Sequence, residues 1–155
     1  MSPLRADRIV VPIASETDAI ETADALKARF ARSADPAIDV ILVHVIEKSG
    51  GYIDKAPLAA RKEEAEAAFA AARTVLDGSN VQVTDSVVYD TDLIEGIVTA
   101  AVEQNADAIV LRPRESGFLT RLLTGNRTAM LVRKASIPVL ILPSESDTDS
   151  ADEKA

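Results

Sequence analysis

A single histidine, His44, stands in a chain of 155 residues that contains no cysteine. It lies inside the apolar run Val40 to Ile46, so it reads as a packed core residue rather than a catalyst. Without a second histidine or any thiolate there is no metal cluster for it to join, and no metal is expected. Ser15 and Ser116 have no base nearby in sequence, and a G-x-S-x-G elbow is absent, so nucleophilic catalysis has no support. Gly50-Gly51 is not followed at once by a helical pattern, which makes it a loop rather than a phosphate cradle. No catalytic residue is assigned, and the chain reads as a non-enzyme.

The charge pattern is more informative. Arg112 to Lys134 holds five Arg and one Lys against Glu115, a formal +5 within a chain of −8, which leaves −13 for the rest. Arg133 and Lys134 suit a helix C-terminus, where cations complement the macrodipole. Arg121 suits a pairing with neighbouring acids. Arg112, Arg114 and Arg127 are different. They flank the point where a helix N-terminus should face a loop, and arginine beside a helix N-terminus can hold an anion.

The elements that must position these residues alternate regularly. Arg8 to Ile13 reads as a buried strand with Pro12 near its end. Ser15 is a candidate N-cap with Asp18 three residues on, and Ile20, Ala23, Leu26 and Phe30 recur at helical spacing. Ile38 to Val45 is a second, almost wholly apolar strand, as expected of one covered on both faces. A helix over Leu58 to Leu76 buries Ala65, Ala68, Phe69, Ala72 and Val75, and Gly78 ends it. Val81 to Val88 is an edge strand. Asp90 or Thr91 caps a third helix with the apolar face Ile94, Ile97, Ala101 and Val102. Ala108 to Leu111 is the fourth strand, Asn126 to Lys134 the fourth helix, and Pro138 to Leu142 the fifth strand. The repeating β-α order implies a doubly wound five-stranded parallel sheet with helices on both faces, in strand order 3-2-1-4-5 or 2-1-3-4-5. Ligands of such sheets bind beyond the strands' C-terminal ends.

Composition narrows the function classes. Nearly half the residues are apolar (47%), enough for the core of one domain, taken as residues 1–143. Net charge −8 disfavours nucleic acid as a partner. No run is long enough to enter a membrane, and Met1 to Arg8 does not resemble a signal peptide, so a cytoplasmic location is expected. Eleven Arg against six Lys and an excess of Asp over Glu fit a salt-rich cytoplasm, as in a halophile, and equally an acidic protein of a GC-rich genome. The tail 144–155, SESDTDSADEKA, is polar and aperiodic and is expected to be disordered.

Four patches carry a family resemblance: RIVVPIASE (8–16), VILVHVIE (40–47), ADAIVL (106–111) and SGFLTRLLTGNRTAMLVRKASIPVLILP (116–143). In that order and spacing the chain resembles the universal stress proteins. The resemblance implies the order 3-2-1-4-5 and a homodimer joined through the fifth strand, with Val139, Leu140, Ile141 and Leu142 at the interface. It also implies an ATP site with a loop of pattern G-x2-G-x9-G-S/T after strand four. Gly125 matches the last glycine of that pattern. Arg112 and Glu115 stand where the first two glycines belong, and Asn126, followed by Arg127, stands where Ser or Thr is usual. Ala14 occupies the place of the family's nucleotide-binding Asp, while Pro12 and Val45 are retained.

These departures weaken a polyphosphate site. Glycines allow close backbone approach, which Arg112 and Glu115 obstruct. A carboxylate near 4 Å from a phosphate charge costs ~4 kcal/mol at a surface-like dielectric. No cofactor is therefore expected, with ATP as the alternative. Glu115 is expected to pair with Arg112 or Arg114. The readings that follow are a non-enzymatic stress-response or regulatory homodimer acting through a protein partner, an ATP-binding switch, or a soluble regulator of a membrane transporter.

Overall fold

The computed structural model describes residues 7–30, 37–48, 58–112 and 126–143, with the backbone alone for 126–128. Five strands form one parallel sheet: β1 (Arg8–Pro12), β2 (Ile38–Glu47), β3 (Val81–Asp90), β4 (Ala108–Leu111) and β5 (Val139–Ile141). Their spatial order is β3-β2-β1-β4-β5. Four helices connect or flank them: α1 (Glu16–Phe30), α2 (Leu58–Leu76), α3 (Leu93–Glu103) and α4 (Asn126–Lys134).

Two-residue alternation divides the core into two layers. Ile9 and Val11 of β1, Val40 and Leu42 of β2, and Ala108 and Val110 of β4 face α1 and α2. Val10, Ile41, Val43, Ile109 and Leu111 face α3 and Leu131 of α4. The central strands are buried on both faces, which explains their nearly unbroken apolar sequences. Helix α2 meets this layer with Ala65, Ala68, Phe69, Ala72 and Leu76, while Val75 is partly buried. Small alanines allow α2 to lie close to α1 and the sheet. Gly78 ends α2 with φ +77°, a conformation that L side chains disfavour.

Several local expectations are corrected. Helix α1 buries Ala19, Ala23 and Leu26, whereas Ile20 is 41% exposed. The helix is rotated so that Asp18, Thr22 and Ala19 face inward, because Asp18 is needed at the turn after β1. In α3, Ala100 takes the inward place expected of Val102, which is 62% exposed. The cap of α3 is Asp92 rather than Asp90 or Thr91, and its carboxylate accepts the N–H groups of Ile94 (2.8 Å) and Glu95 (3.1 Å). Asp90 accepts the N–H of Asp92 instead, which shapes the approach to the helix. Strands β2 and β3 pair in register from Ile38↔Val81 to Glu47↔Asp90, so both run beyond the apolar segment. Strand β5 is shorter than its apolar run. Leu142 lies beyond it, is 1% exposed and joins the α1/α2 layer.

Candidate functional site

The strand order reverses between β1 and β4, so the switch point of this sheet lies at their C-terminal ends. The two strands pair at Ile9↔Ala108 and Val10↔Ile109 and no further. On either side the pairing continues, to Pro12↔Val43 and to Leu111↔Ile141. By the general rule for such sheets, the crevice for a ligand falls between β1 and β4, beyond Val10 and Ile109. Pro12, which has no N–H to donate, lines the β1 side.

The turn leaving β1 is tightly satisfied. The N–H of Ile13 donates to the Val43 carbonyl at 2.9 Å. Ser15 caps α1 as expected, its Oγ accepting the Asp18 N–H at 3.2 Å. Asp18 does not return to the N-cap N–H but reaches one residue further back. Its Oδ2 accepts the N–H of Ala14 at 2.8 Å, and Thr22 Oγ1 donates to Oδ1 at 3.4 Å. Asp18 is fully buried, which such hydrogen bonds permit. Ala14, at the place where the resemblance puts an acid, offers no side-chain acceptor, and its N–H is already taken.

Arg112 follows β4 directly. Alternation continues from Ala108 and Val110, so Arg112 turns toward α1. Its side chain is almost wholly enclosed and Nη1 donates to Glu21 Oε2 at 3.1 Å. The exposures of the two side chains differ, 7% for Arg112 and 39% for Glu21, so the acid is the solvent-side member. The ion pair thus spans the crevice from the end of β4 to the second turn of α1. The expected pairing of Arg112 with Glu115 concerns a residue outside the described ones. Among the described residues, Arg112 meets an acid 91 residues earlier in the chain. Arg114, Glu115 and Gly125 lie outside the described residues, as do the side chains of Asn126 and Arg127. Helix α4 begins at Asn126.

His44 stands at the same end of the sheet. Its Nδ1 lies 3.1 Å from the Ile13 carbonyl. A carbonyl only accepts, so Nδ1 carries the hydrogen. Burial pushes the His44 pKa below its ordinary 6.5, against the opposing pull of the Ile13 carbonyl and the Glu64 charge; Arg61 adds to the lowering. The ring is neutral at pH 7 and acts as a strut between β2 and β1. Val45, one residue on, faces the other layer and packs against Gly96 of α3. A Cβ on Gly96 would come within 2.9 Å of Val45 Cγ1, so the glycine is what lets α3 approach this wall.

Glu21 and Gly96 carry this geometry and were not singled out by the sequence. Glu21 looks like one more solvated acid of an amphipathic helix. The signal for Gly96 was a glycine inside an apolar helical pattern, which costs helix stability and so asks for a packing reason. Among the described residues no group of His, Asp and Glu is arranged to hold a metal ion. No described helix is long and apolar enough to cross a membrane.

The sheet order and the switch-point crevice define a five-stranded doubly wound α/β protein. The universal stress protein family model matches residues 6–143, and the chain belongs to that family. A universal stress family protein from Burkholderia pseudomallei has a similar fold, with 22% identity and a TM-score of 0.62 over 93% of this chain and all (100%) of its own. The universal stress protein from Archaeoglobus fulgidus in complex with dAMP is similar at 23% identity and a TM-score of 0.58, over 88% of this chain and 97% of its own. UspA from Lactobacillus plantarum follows at 20% identity and a TM-score of 0.58, over 90% and 99%. No curated protein matches the sequence.

Proposed function

We propose that this chain is a non-enzymatic regulatory or stress-response protein whose family nucleotide site no longer holds ATP tightly. The observation that carries the reading is the Arg112–Glu21 pair. At the first glycine position that the resemblance assigns to the family loop stands a buried arginine, paired internally with Glu21. Ala14 supports the same reading, because the nucleoside acceptor is gone and the local N–H is bonded to Asp18. On this reading Arg112 is committed within the protein. Anion binding through Arg114 and Arg127 then depends on a shared site with Glu115, Gly125 and Asn126. Equilibrium dialysis with labelled ATP is the test. Wild-type protein should show no binding below millimolar ATP, and micromolar binding would overturn the proposal.

The protein acts as a homodimer through β5 and reaches its effect through a protein partner. Strand β5 ends the sheet, and Leu140 and Ile141 are 44% and 46% exposed there, a hydrophobic edge that calls for cover. Val139 is half-buried, and Leu142 contributes to the core rather than to the edge. Antiparallel pairing of the two β5 edges would close under two-fold symmetry. Light scattering at micromolar concentration should give a dimer, and Ile141→Arg should give a monomer. A wild-type monomer would refute the interface.

A nucleotide-dependent switch is the second reading. It is favoured by the similar folds solved with dAMP and with cAMP. The same dialysis decides between the two.

A further inference from the structure

We propose that the segment Met1 to Ala6 folds back as a strap and seats the Leu4 side chain in the apolar groove between the C-terminal end of α3 and the turn from α4 into β5. This groove lies at the end of the sheet opposite the switch point, away from the site described above.

The groove has the size and lining for one aliphatic side chain. Val98 and Val102 of α3 line one side, Ala135 and Ile137 another, and the buried Ala106 and Ile109 close the bottom. Its volume is about 210 Å³. An apolar cavity of about 150 Å³ holds a benzene ring, so this one has room for a leucine. Val102, at its rim, is 62% exposed.

The chain enters the fold beside this groove. The N–H groups of Asp7 and Arg8 both donate to Asp107 Oδ2, at 3.0 and 2.9 Å. Arg8 Nη1 donates to the Gln104 carbonyl at 3.1 Å. The start of β1 is thus tied to the turn from α3 into β4, and Asn105 and Ala106 of that turn line the groove. Residues 1–6 leave from this tie. Six extended residues reach about 20 Å, and Leu4, three residues before Asp7, reaches about 10 Å. Ala106 directly precedes Asp107, so the groove begins one residue from the anchor.

The chemistry of the segment matches. Met1, Pro3, Leu4 and Ala6 are apolar. Pro3 fixes its own φ and keeps Ser2 extended, which lowers the entropy lost on docking. Arg5 would arrive at the C-terminal end of α3 beside the exposed Glu103, where a cation is favoured. The tail after Pro143 fits poorly. It leaves β5 at the far end of the sheet, it is acidic, and its only apolar residues are Ala151 and Ala155.

The test is solution NMR of the full chain with labelled Leu, Val and Ile methyl groups. The Leu4 methyls should give nuclear Overhauser cross-peaks to Val98, Val102 or Ile137. They should move to free-chain shifts in Val102→Lys, which puts a charge at the rim. Ser136→Lys, at an exposed lining position, gives the same comparison should Val102→Lys not fold. Leu4→Asp should lower Tm by about 2–4 °C, the shift expected when one modest apolar contact is lost from a domain of this size. Leu4 methyls at free-chain shifts in wild type, or an unchanged Tm in Leu4→Asp, overturn the proposal. Cross-peaks seen only between labelled and unlabelled chains put a second copy in the groove and overturn it as well. So do Leu4 cross-peaks to other residues that persist in Val102→Lys, since the segment then docks elsewhere.

Discussion

Replacing Gly96 by alanine sets two effects of known size against each other. Gly96 lies inside α3, where alanine is favoured over glycine by about 1 kcal/mol. The new Cβ, however, would meet Val45 Cγ1 at 2.9 Å, Cγ2 at 3.1 Å and Asp90 Cβ at 3.4 Å. Optimal carbon contacts lie near 3.5–4.0 Å, so both Val45 methyls are too close. Val45 cannot easily rotate away, since a β-branched side chain has few χ1 choices and β2 is held between β1 and β3. Overpacking of this kind costs about 1–3 kcal/mol. The net expectation is a loss of about 1 kcal/mol, a fall in Tm of about 2–4 °C for a domain of this size. Thermal denaturation followed by circular dichroism reads this directly. Val45→Ala in the same background should recover most of the clash, giving a coupling of about 1 kcal/mol in a double-mutant cycle. A rise in Tm in Gly96→Ala, with additivity in the cycle, would show that α3 does not press on Val45.

His44 binds its proton less readily in the folded state, because burial lowers its pKa below 6.5. Stability should therefore fall as pH drops from 6.5 through the folded pKa and flatten below it, a slope that His44→Gln should lose in urea titrations across that window. Leu142→Ala should cost about 2–5 kcal/mol by chemical denaturation because its side chain is in the core, while Leu140→Ala, compared in dilute protein, should cost less than about 1 kcal/mol. Asp92→Ala removes the acceptor for two N–H groups of α3 and should cost about 1 kcal/mol, read from the shift in urea midpoint. Deleting residues from Ser144 onward should leave Tm within about 5 °C of wild type, since so polar a segment has little apolar surface to bury.

The fold was legible because the strands are apolar in unbroken runs and the helices carry clear stripes. Val40–Ile46 and Ala108–Leu111 could hardly be placed anywhere but in a sheet covered on both faces. Errors came where one residue had two demands on it. Ile20 fits the helical stripe of α1, yet the helix turns so that Asp18 can reach the Ala14 N–H, and Ile20 is left exposed. Leu142 extends the apolar run of β5, yet alternation and the end of the strand send it into the core. The site was half legible. Arg112 stood out by its charge and by standing where the resemblance places a glycine. Its partner did not, because Glu21 is 91 residues away and looks like a solvated helix acid. Such a contact is fixed by strand order, register and helix rotation together, and no local pattern encodes all three.

The departures that the resemblance implies at the switch point have a common physical direction. A glycine-rich loop offers backbone N–H groups that need a ligand to satisfy them, and that ligand stabilises the folded state by linkage. Among the described residues at this end of the sheet, three polar groups are matched internally. The Ala14 N–H has the Asp18 carboxylate, the Arg112 guanidinium has Glu21, and the Ile13 carbonyl has the His44 ring. Each contact joins the end of a strand to the start of a helix or to the neighbouring strand. Independence from ATP supply is what would separate the regulatory role proposed above from a nucleotide switch.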